Sequence, residues 1–192
     1  MEALKAGANL VCFSGDKLFG GPQAGIIAGK KRFIAAFKRE PLFRALRCDK
    51  LCLAALQATV DRHLNESTFE IPAIAFLHVS HDELRTRAAK IVGRLNGLPL
   101  RVEIGSGQVK AGGGTLPGST IPSLTIEMVP ANCSLADFAA RLRNSSPPVI
   151  GYIANERFKL DLGTIFPQQD EAIMEVIRNA CNNQNVSGGH DR

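Results

Sequence analysis

The sequence predicts an α/β fold. Three observations predict it. Short apolar runs at Leu10–Phe13, Leu98–Ile104 and Ser123–Val129 have the length of strands. They alternate with longer segments whose apolar residues recur at helical spacing, such as Leu84, Ala88, Ile91, Val92 and Leu95. Glycine, proline or a helix cap punctuates nearly every boundary between them. The 192 residues, 45% hydrophobic and 21% charged, suffice for one ordinary domain or one and a half small ones. This composition is neither disordered nor membranous, and no run of about 18 apolar residues offers a membrane span. The N-terminal residues lack the apolar core of a signal peptide, so a cytoplasmic location is expected.

Taken in order, residues 2–9 read as the end of a helix, punctuated by Gly7. Leu10–Phe13 reads as a buried strand that stops at Ser14-Gly15, and Ala24–Ala28 as a second strand after the break at Gly20-Gly21-Pro22. Between them sits Lys17, preceded by Asp16. A lysine held between two strands by glycine turns has little freedom. Such a lysine can present its amine to a carbonyl cofactor, as pyridoxal 5′-phosphate (PLP) requires. On Ser14-Gly15-Asp16-Lys17 alone, a solvated lysine in a surface turn is the favoured reading.

Lys30–Glu40 reads as an amphipathic helix with Phe33, Ile34 and Phe37 on one face, stopped by Pro41. In Pro41-Leu42-Phe43-Arg44-Ala45-Leu46-Arg47, the two arginines three apart are expected to share a helix face. Two guanidiniums side by side form a fork for a tetrahedral oxyanion; a pair of surface salt bridges is the alternative. Leu53, Leu56, Val60 and Leu64 carry a helical stripe to about residue 65. Asn65-Glu66-Ser67 ends it and marks a domain boundary, giving domains 1–66 and 67–184 and a flexible tail 185–192.

The remainder reads as a small α/β domain. Pro72 opens a short helix over 71–79, and Ser80-His81-Asp82-Glu83 is a capping box for the next. Leu98–Ile104 is a strand, Gly105–Gly118 with its six glycines a loop, and Ser123–Val129 a strand. Ser134 caps a helix carrying Leu135, Phe138 and Leu142. Val149–Ile153 and Arg157–Leu162 form a hairpin around Asn155-Glu156. Gln168–Cys181 is a last helix, and Gly188–Arg192 a frayed tail.

The net charge of +5 is uneven: Lys30–Arg62 alone carries nine Lys/Arg against three Asp/Glu. A basic segment of this kind suits an anionic partner such as phosphate, a phosphorylated substrate or RNA, or is a solvated helix face. With no Trp and one Tyr, a base-stacking RNA platform is not indicated. The five cysteines form no disulfide framework. Cys48 and Cys52, four apart on a presumed helix with only His63 as a further ligand nearby, read as free thiols rather than a metal site. His63, His78, His81 and His190 form no triad and read as ordinary helix or surface histidines.

Two runs carry a resemblance. Ser14-Gly15-Asp16-Lys17-Leu18-Phe19-Gly20-Gly21-Pro22-Gln23-Ala24-Gly25-Ile26-Ile27 resembles the PLP-lysine segment of bacterial selenocysteine synthase, L-seryl-tRNA(Sec) selenium transferase. Pro41-Leu42-Phe43-Arg44-Ala45-Leu46-Arg47-Cys48-Asp49-Lys50 resembles that family's Pro-Leu-x-Arg-Ala-Leu-Arg-x-Asp-Lys. Looser likeness continues at Gly114-Thr115-Leu116-Pro117 and Pro147–Gly151, with Tyr152 where the family often has Arg. The resemblance covers nearly the whole chain but only the C-terminal part of a longer family. It therefore implies the C-terminal part of a fold-type-I PLP-dependent transferase: the end of the large domain plus the small α/β domain.

The resemblance further implies PLP as cofactor, seryl-tRNA(Sec) and selenophosphate as substrates, and a homo-oligomer. It assigns Lys17 and Asp16 to catalysis, Lys17 and Ser14 to the cofactor, and Arg44 and Arg47 to selenophosphate. A reactive Lys17 amine is expected to be buried among cationic neighbours. A PLP-dependent lyase paralogue of the same fold and a non-catalytic oligomerisation remnant are the competing expectations. Because the chain starts in mid-architecture, part of the PLP site is expected to lie outside it.

Overall fold

A computed structural model describes residues 2–110 and 120–182. The chain divides into two compact units between His78 and Val79. That lies twelve residues beyond the expected boundary after residue 66. The segment that follows Asn65 stays with the first unit because Ile71, 3% exposed, seats against Gly20.

In the first unit, α1 (Glu2–Lys5) leads into β1 (Leu10–Ser14), which pairs antiparallel with β2 (Gly25–Gly29) from Leu10↔Gly29 to Ser14↔Gly25. β1 is not a buried strand: its burial falls along its length until Phe13 and Ser14 are exposed. Two strands alone cannot enclose an apolar face. α2 (Lys31–Phe37) follows. Pro41 does not merely stop α2; it occupies the first turn of a separate helix α3 (Pro41–Ala45), where its missing N–H is harmless. After Leu46 to Asp49, α4 (Lys50–Leu64) begins, with the Asp49 carboxylate accepting from the Cys52 N–H at 2.8 Å. Hence Cys48 lies before α4, not on a helix shared with Cys52. A short 3-10 turn (Thr68–Glu70) and α5 (Pro72–His78) complete the unit.

The face α4 turns inward differs from the apolar stripe in its sequence. Leu64 is 74% exposed, and Leu53 and Val60 are also exposed. The residues drawn inward are Cys52, Leu56, Thr59 and His63, spaced at four, three and four.

The second unit holds nearly all of the core. The capping box is present: the Ser80 hydroxyl accepts from the Glu83 N–H, and the Glu83 carboxylate accepts from the Ser80 N–H. It opens α6 (His81–Leu95), whose Leu84, Ala88, Ile91 and Leu95 are buried. β3 (Leu100–Lys110) and β4 (Thr120–Pro130) form long antiparallel strands, joined by β6 (Arg157–Asp161) and β5 (Tyr152–Ala154) in the order β3-β4-β6-β5. α7 (Leu135–Arg143) and α8 (Asp170–Asn182) pack with α6 on the face lined by Leu124, Ile126, Met128, Phe158 and Leu160. The rings of Phe138 and Phe158 meet edge to face at 5.6 Å.

The other sheet face is polar. The buried Thr125 and Lys159 lie there, with Lys159 Nζ donating to Glu127 at 2.6 Å. This explains the first half of the glycine-rich stretch, which continues β3 instead of forming a loop. A Cβ at Gly105 would lie 2.0 Å from a Glu127 carboxylate oxygen, so glycine gives that side chain its place. The rest of the predicted loop, including Gly112–Gly114 and Gly114–Pro117, and the tail with His190 lie outside the described residues. The β5–β6 turn matches expectation: Asn155 and Glu156 both have positive φ, 53° and 57°, as a two-residue hairpin turn requires. β5 starts only at Tyr152, three residues later than expected.

One contact tying this unit together joins residues far apart in sequence. Arg87 on α6 forks onto the Asp170 carboxylate at 2.5–2.9 Å and donates to the carbonyls of Leu162 and Ile165 at 3.2 and 2.8 Å. Its side chain is 12% exposed, so removing it strands a carboxylate and two carbonyls. Arg87→Ala is expected to lower the unfolding free energy of the chain by about 3 kcal/mol. Urea denaturation followed by circular dichroism measures this; a loss below about 0.5 kcal/mol would mean the fork is dispensable.

Candidate functional site

The connection from Gly15 to Ala24 closes the β1–β2 hairpin and carries Lys17. It is fastened by its own backbone: Gly15 N–H donates to Ala24 O at 2.8 Å, Gly21 N–H to Gly15 O at 2.7 Å, and Gly20 N–H to Lys17 O at 2.9 Å. Gly20 has φ +76°, and a Cβ there would lie 2.1 Å from the Ile71 side chain, so both conformation and space call for glycine.

The inward face of α4 braces this turn from outside. Leu56 and Thr59 pack against Gly15 and Gly21. The Cys52 thiol donates to Gln23 O at 3.5 Å, and His63 Nε2 meets Phe19 O at 3.0 Å. Partial burial, the adjacent Cys48 thiol and the Asp49 carboxylate push the Cys52 thiol up, which keeps its donor proton in place.

Lys17 Nζ donates to Asp16 Oδ2 at 2.7 Å. The Lys17 side chain is 43% exposed, so the amine stands at a cleft mouth and is not buried as the sequence suggested. Its hydrogen bond, with help from the backbone N–H of Asp16, holds the Asp16 carboxyl below the usual carboxylate range. The cleft, about 560 Å³, is lined by Ser14, Asp16, Lys17, Gln23, Arg47, Cys48, Asp49 and Cys52 among others. A second cleft of about 550 Å³ is lined by Ser14, Lys17, Phe19 and His63 among others. An apolar groove of about 830 Å³, lined by Ile26, Ile34, Phe37 and Phe43, shares Arg47 with the first cleft.

The structure thus brings Ser14, Asp16, Lys17 and Arg47 to one cleft. Arg44 is not among its lining residues. The two arginines do not share a helix face, because α3 ends at Ala45 and Arg47 lies in the irregular stretch ahead of the Asp49 cap. The bracing residues Cys52, Thr59 and His63 were not singled out from sequence as a group. Their spacing with Leu56 is visible there, but the more apolar stripe beside it masks it.

A family model described as L-seryl-tRNA selenium transferase matches residues 1–166. The chain belongs to this family. It is 40% identical over 171 residues to an L-seryl-tRNA(Sec) selenium transferase of Carboxydothermus hydrogenoformans, covering 88% of this chain and 37% of the relative. It is 42% identical over 177 residues to that of Geobacter metallireducens, covering 90% and 38%. The chain therefore spans under two-fifths of the length of these selenium transferases. Among solved structures, D-glucosaminate-6-phosphate ammonia-lyase is similar in fold, with a TM-score of 0.60 at 21% identity over 92% of this chain and 44% of the lyase. The fold is that of the C-terminal part of a fold-type-I transferase. Among the described residues, no helix is long and apolar enough to cross a membrane.

The Lys17–Asp16 contact makes a prediction about charge. A carboxyl depressed by this contact favours the folded state above its ordinary titration range, and that contribution fades as pH falls through the depressed value. Carboxyl NMR titration is expected to find Asp16 below the ordinary aspartate range, moving upward in Lys17→Met. An Asp16 midpoint unmoved by that substitution would show that Lys17 does not cause the depression.

Proposed function

We propose that this chain supplies the lysine-bearing part of a PLP-dependent site that converts seryl-tRNA(Sec) to selenocysteinyl-tRNA(Sec) with selenophosphate. The observation that carries the reading is the meeting of Lys17, Asp16, Ser14 and Arg47 in one cleft on a braced turn. These residues fit PLP: a reachable primary amine for its carbonyl, and a hydroxyl and a guanidinium for anionic oxygens. Lys17 would hold the cofactor covalently and Ser14 would donate a hydrogen bond to its phosphate. When bound, PLP supplies an electron sink for the seryl Cα.

The chain's own residues then have separate tasks. Lys17 Nζ takes the proton from Cα and returns one to the departing β-hydroxyl, which leaves as water. Asp16, at 2.7 Å, orients that amine and stabilises it while it carries the proton. Arg47 holds the phosphate oxygens of selenophosphate in the cleft. Selenium bonds to Cβ while Lys17 Nζ returns a proton to Cα, and the P–Se bond breaks with water supplying the fourth phosphate oxygen and the selenol proton, so one serine hydroxyl is exchanged for one selenol. Arg44 keeps its assigned role on the resemblance alone, since it lies outside the cleft lining. In this reading the working protein is a cytoplasmic homo-oligomer.

The 40% identity to a selenium transferase favours this reading over a lyase paralogue. The purified chain is to be mixed with PLP, reduced with borohydride and mapped by peptide mass. Label concentrated on Lys17 and lost in Lys17→Ala is expected. Label scattered over surface lysines in both chains would overturn the proposal.

A further inference from the structure

We infer that His63 is the positioning residue for the turn that carries Lys17, acting through its Nε2 hydrogen bond. The assignment rests on the reading of Lys17 as the reactive amine. His63 sits near the C-terminal end of α4, 46 positions beyond Lys17 in sequence, and is half-buried. Its Nε2 lies 3.0 Å from Phe19 O. A carbonyl oxygen only accepts, so Nε2 carries the proton and the contact fixes which ring nitrogen is the donor. The imidazole also lies parallel to the Phe19 ring, with centroids 4.5 Å apart and planes 9° apart. Phe19 in turn meets Phe13 of β1 edge to face at 5.7 Å. His63 therefore grips the turn at its backbone and its side chain together.

The grip is placed where it governs the amine. Phe19 follows Lys17 by two residues, and Gly20 closes the turn on Lys17 O at 2.9 Å. The peptide between Lys17 and Gly20 is thus pinned by a donor on a fifteen-residue helix. Leu56 and Thr59 hold the turn's base at Gly15 and Gly21, whereas His63 holds the limb next to Lys17. His63 and Lys17 also face the same 550 Å³ cleft. Slackening this contact leaves the Lys17 backbone free to swing while the helix and strands stay in place.

Three variants separate the contributions. His63→Ala removes both contacts, His63→Phe keeps a ring without a donor, and His63→Gln keeps a donor without a ring. Two readouts are taken on the whole chain: amide hydrogen exchange at Gly20 and Gly21, and the share of PLP–borohydride label that falls on Lys17. His63→Ala is expected to speed exchange at Gly20 about tenfold and to spread label to other lysines, with the helical circular dichroism unchanged. Glutamine is expected to restore both readouts largely, and phenylalanine neither. Unchanged exchange in His63→Ala, or rescue by phenylalanine but not glutamine, would overturn the assignment. If His63→Ala does not fold, the glutamine–phenylalanine comparison decides alone. If exchange responds as expected but the parent chain never labels on Lys17, His63 still positions the turn and the cofactor reading is what fails.

Discussion

The first unit depends on one constraint: the seating of one face of α4 against a ten-residue connection that cannot support itself. A two-stranded hairpin is marginal in water, and its connection is longer than a tight turn. Three backbone hydrogen bonds close the connection, but they close it only on itself. Leu56, Thr59, Cys52 and His63 tie it to a helix at points spread from Gly15 to Gln23. The Asp49 cap matters to the site for the same reason. It fixes where α4 starts, and therefore which residues of α4 face the turn.

The two units are stabilised differently. The second buries interlocking apolar side chains between a four-stranded sheet and three helices, and satisfies its buried charges in pairs. Among the described residues the first has one buried large apolar residue, Ile71, while Leu42, Leu46, Leu51 and Leu64 are broadly exposed. Its order comes from caps, glycine geometry and directional hydrogen bonds. Such contacts fix positions well but contribute only about 1 kcal/mol each. The candidate site residues therefore sit on the unit with the smaller apolar core, where individual braces such as His63 carry a larger share of the order than they would in a packed core.

What was legible in the sequence is what is local. The Ser80–Glu83 capping box and the Asn155-Glu156 turn are encoded within four residues and appear as read. The lysine between two glycine breaks is likewise a local pattern, and the structure sets it between two paired strands. What failed depended on tertiary partners. Gly105 looked like loop because nothing nearby in sequence shows that the Glu127 side chain needs its space. The stripe Leu53, Leu56, Val60 and Leu64 is the more apolar one, but only Leu56 of it is turned inward, beside Cys52, Thr59 and His63, which meet the connection at points no local pattern reveals. The Arg87–Asp170 fork spans 83 positions and has no local signature at all.

The misplaced arginines show how such a local failure bears on chemistry. Arg44-Ala45-Leu46-Arg47 has good helical propensity, and a continuous helix would have pointed both guanidiniums the same way. Instead the helix stops at Ala45, and Leu46, Arg47 and Cys48 lie outside any helix before the extended Asp49 caps a new one. That break separates the two charges. Arg47 is turned into the cleft shared with Lys17, and Arg44 is left on the last turn of α3. A single guanidinium in the cleft can still fork onto two oxygens of one anion. The break between α3 and α4 thus sets the lining of the cleft: it leaves Arg47 beside Lys17 there and Arg44 outside it.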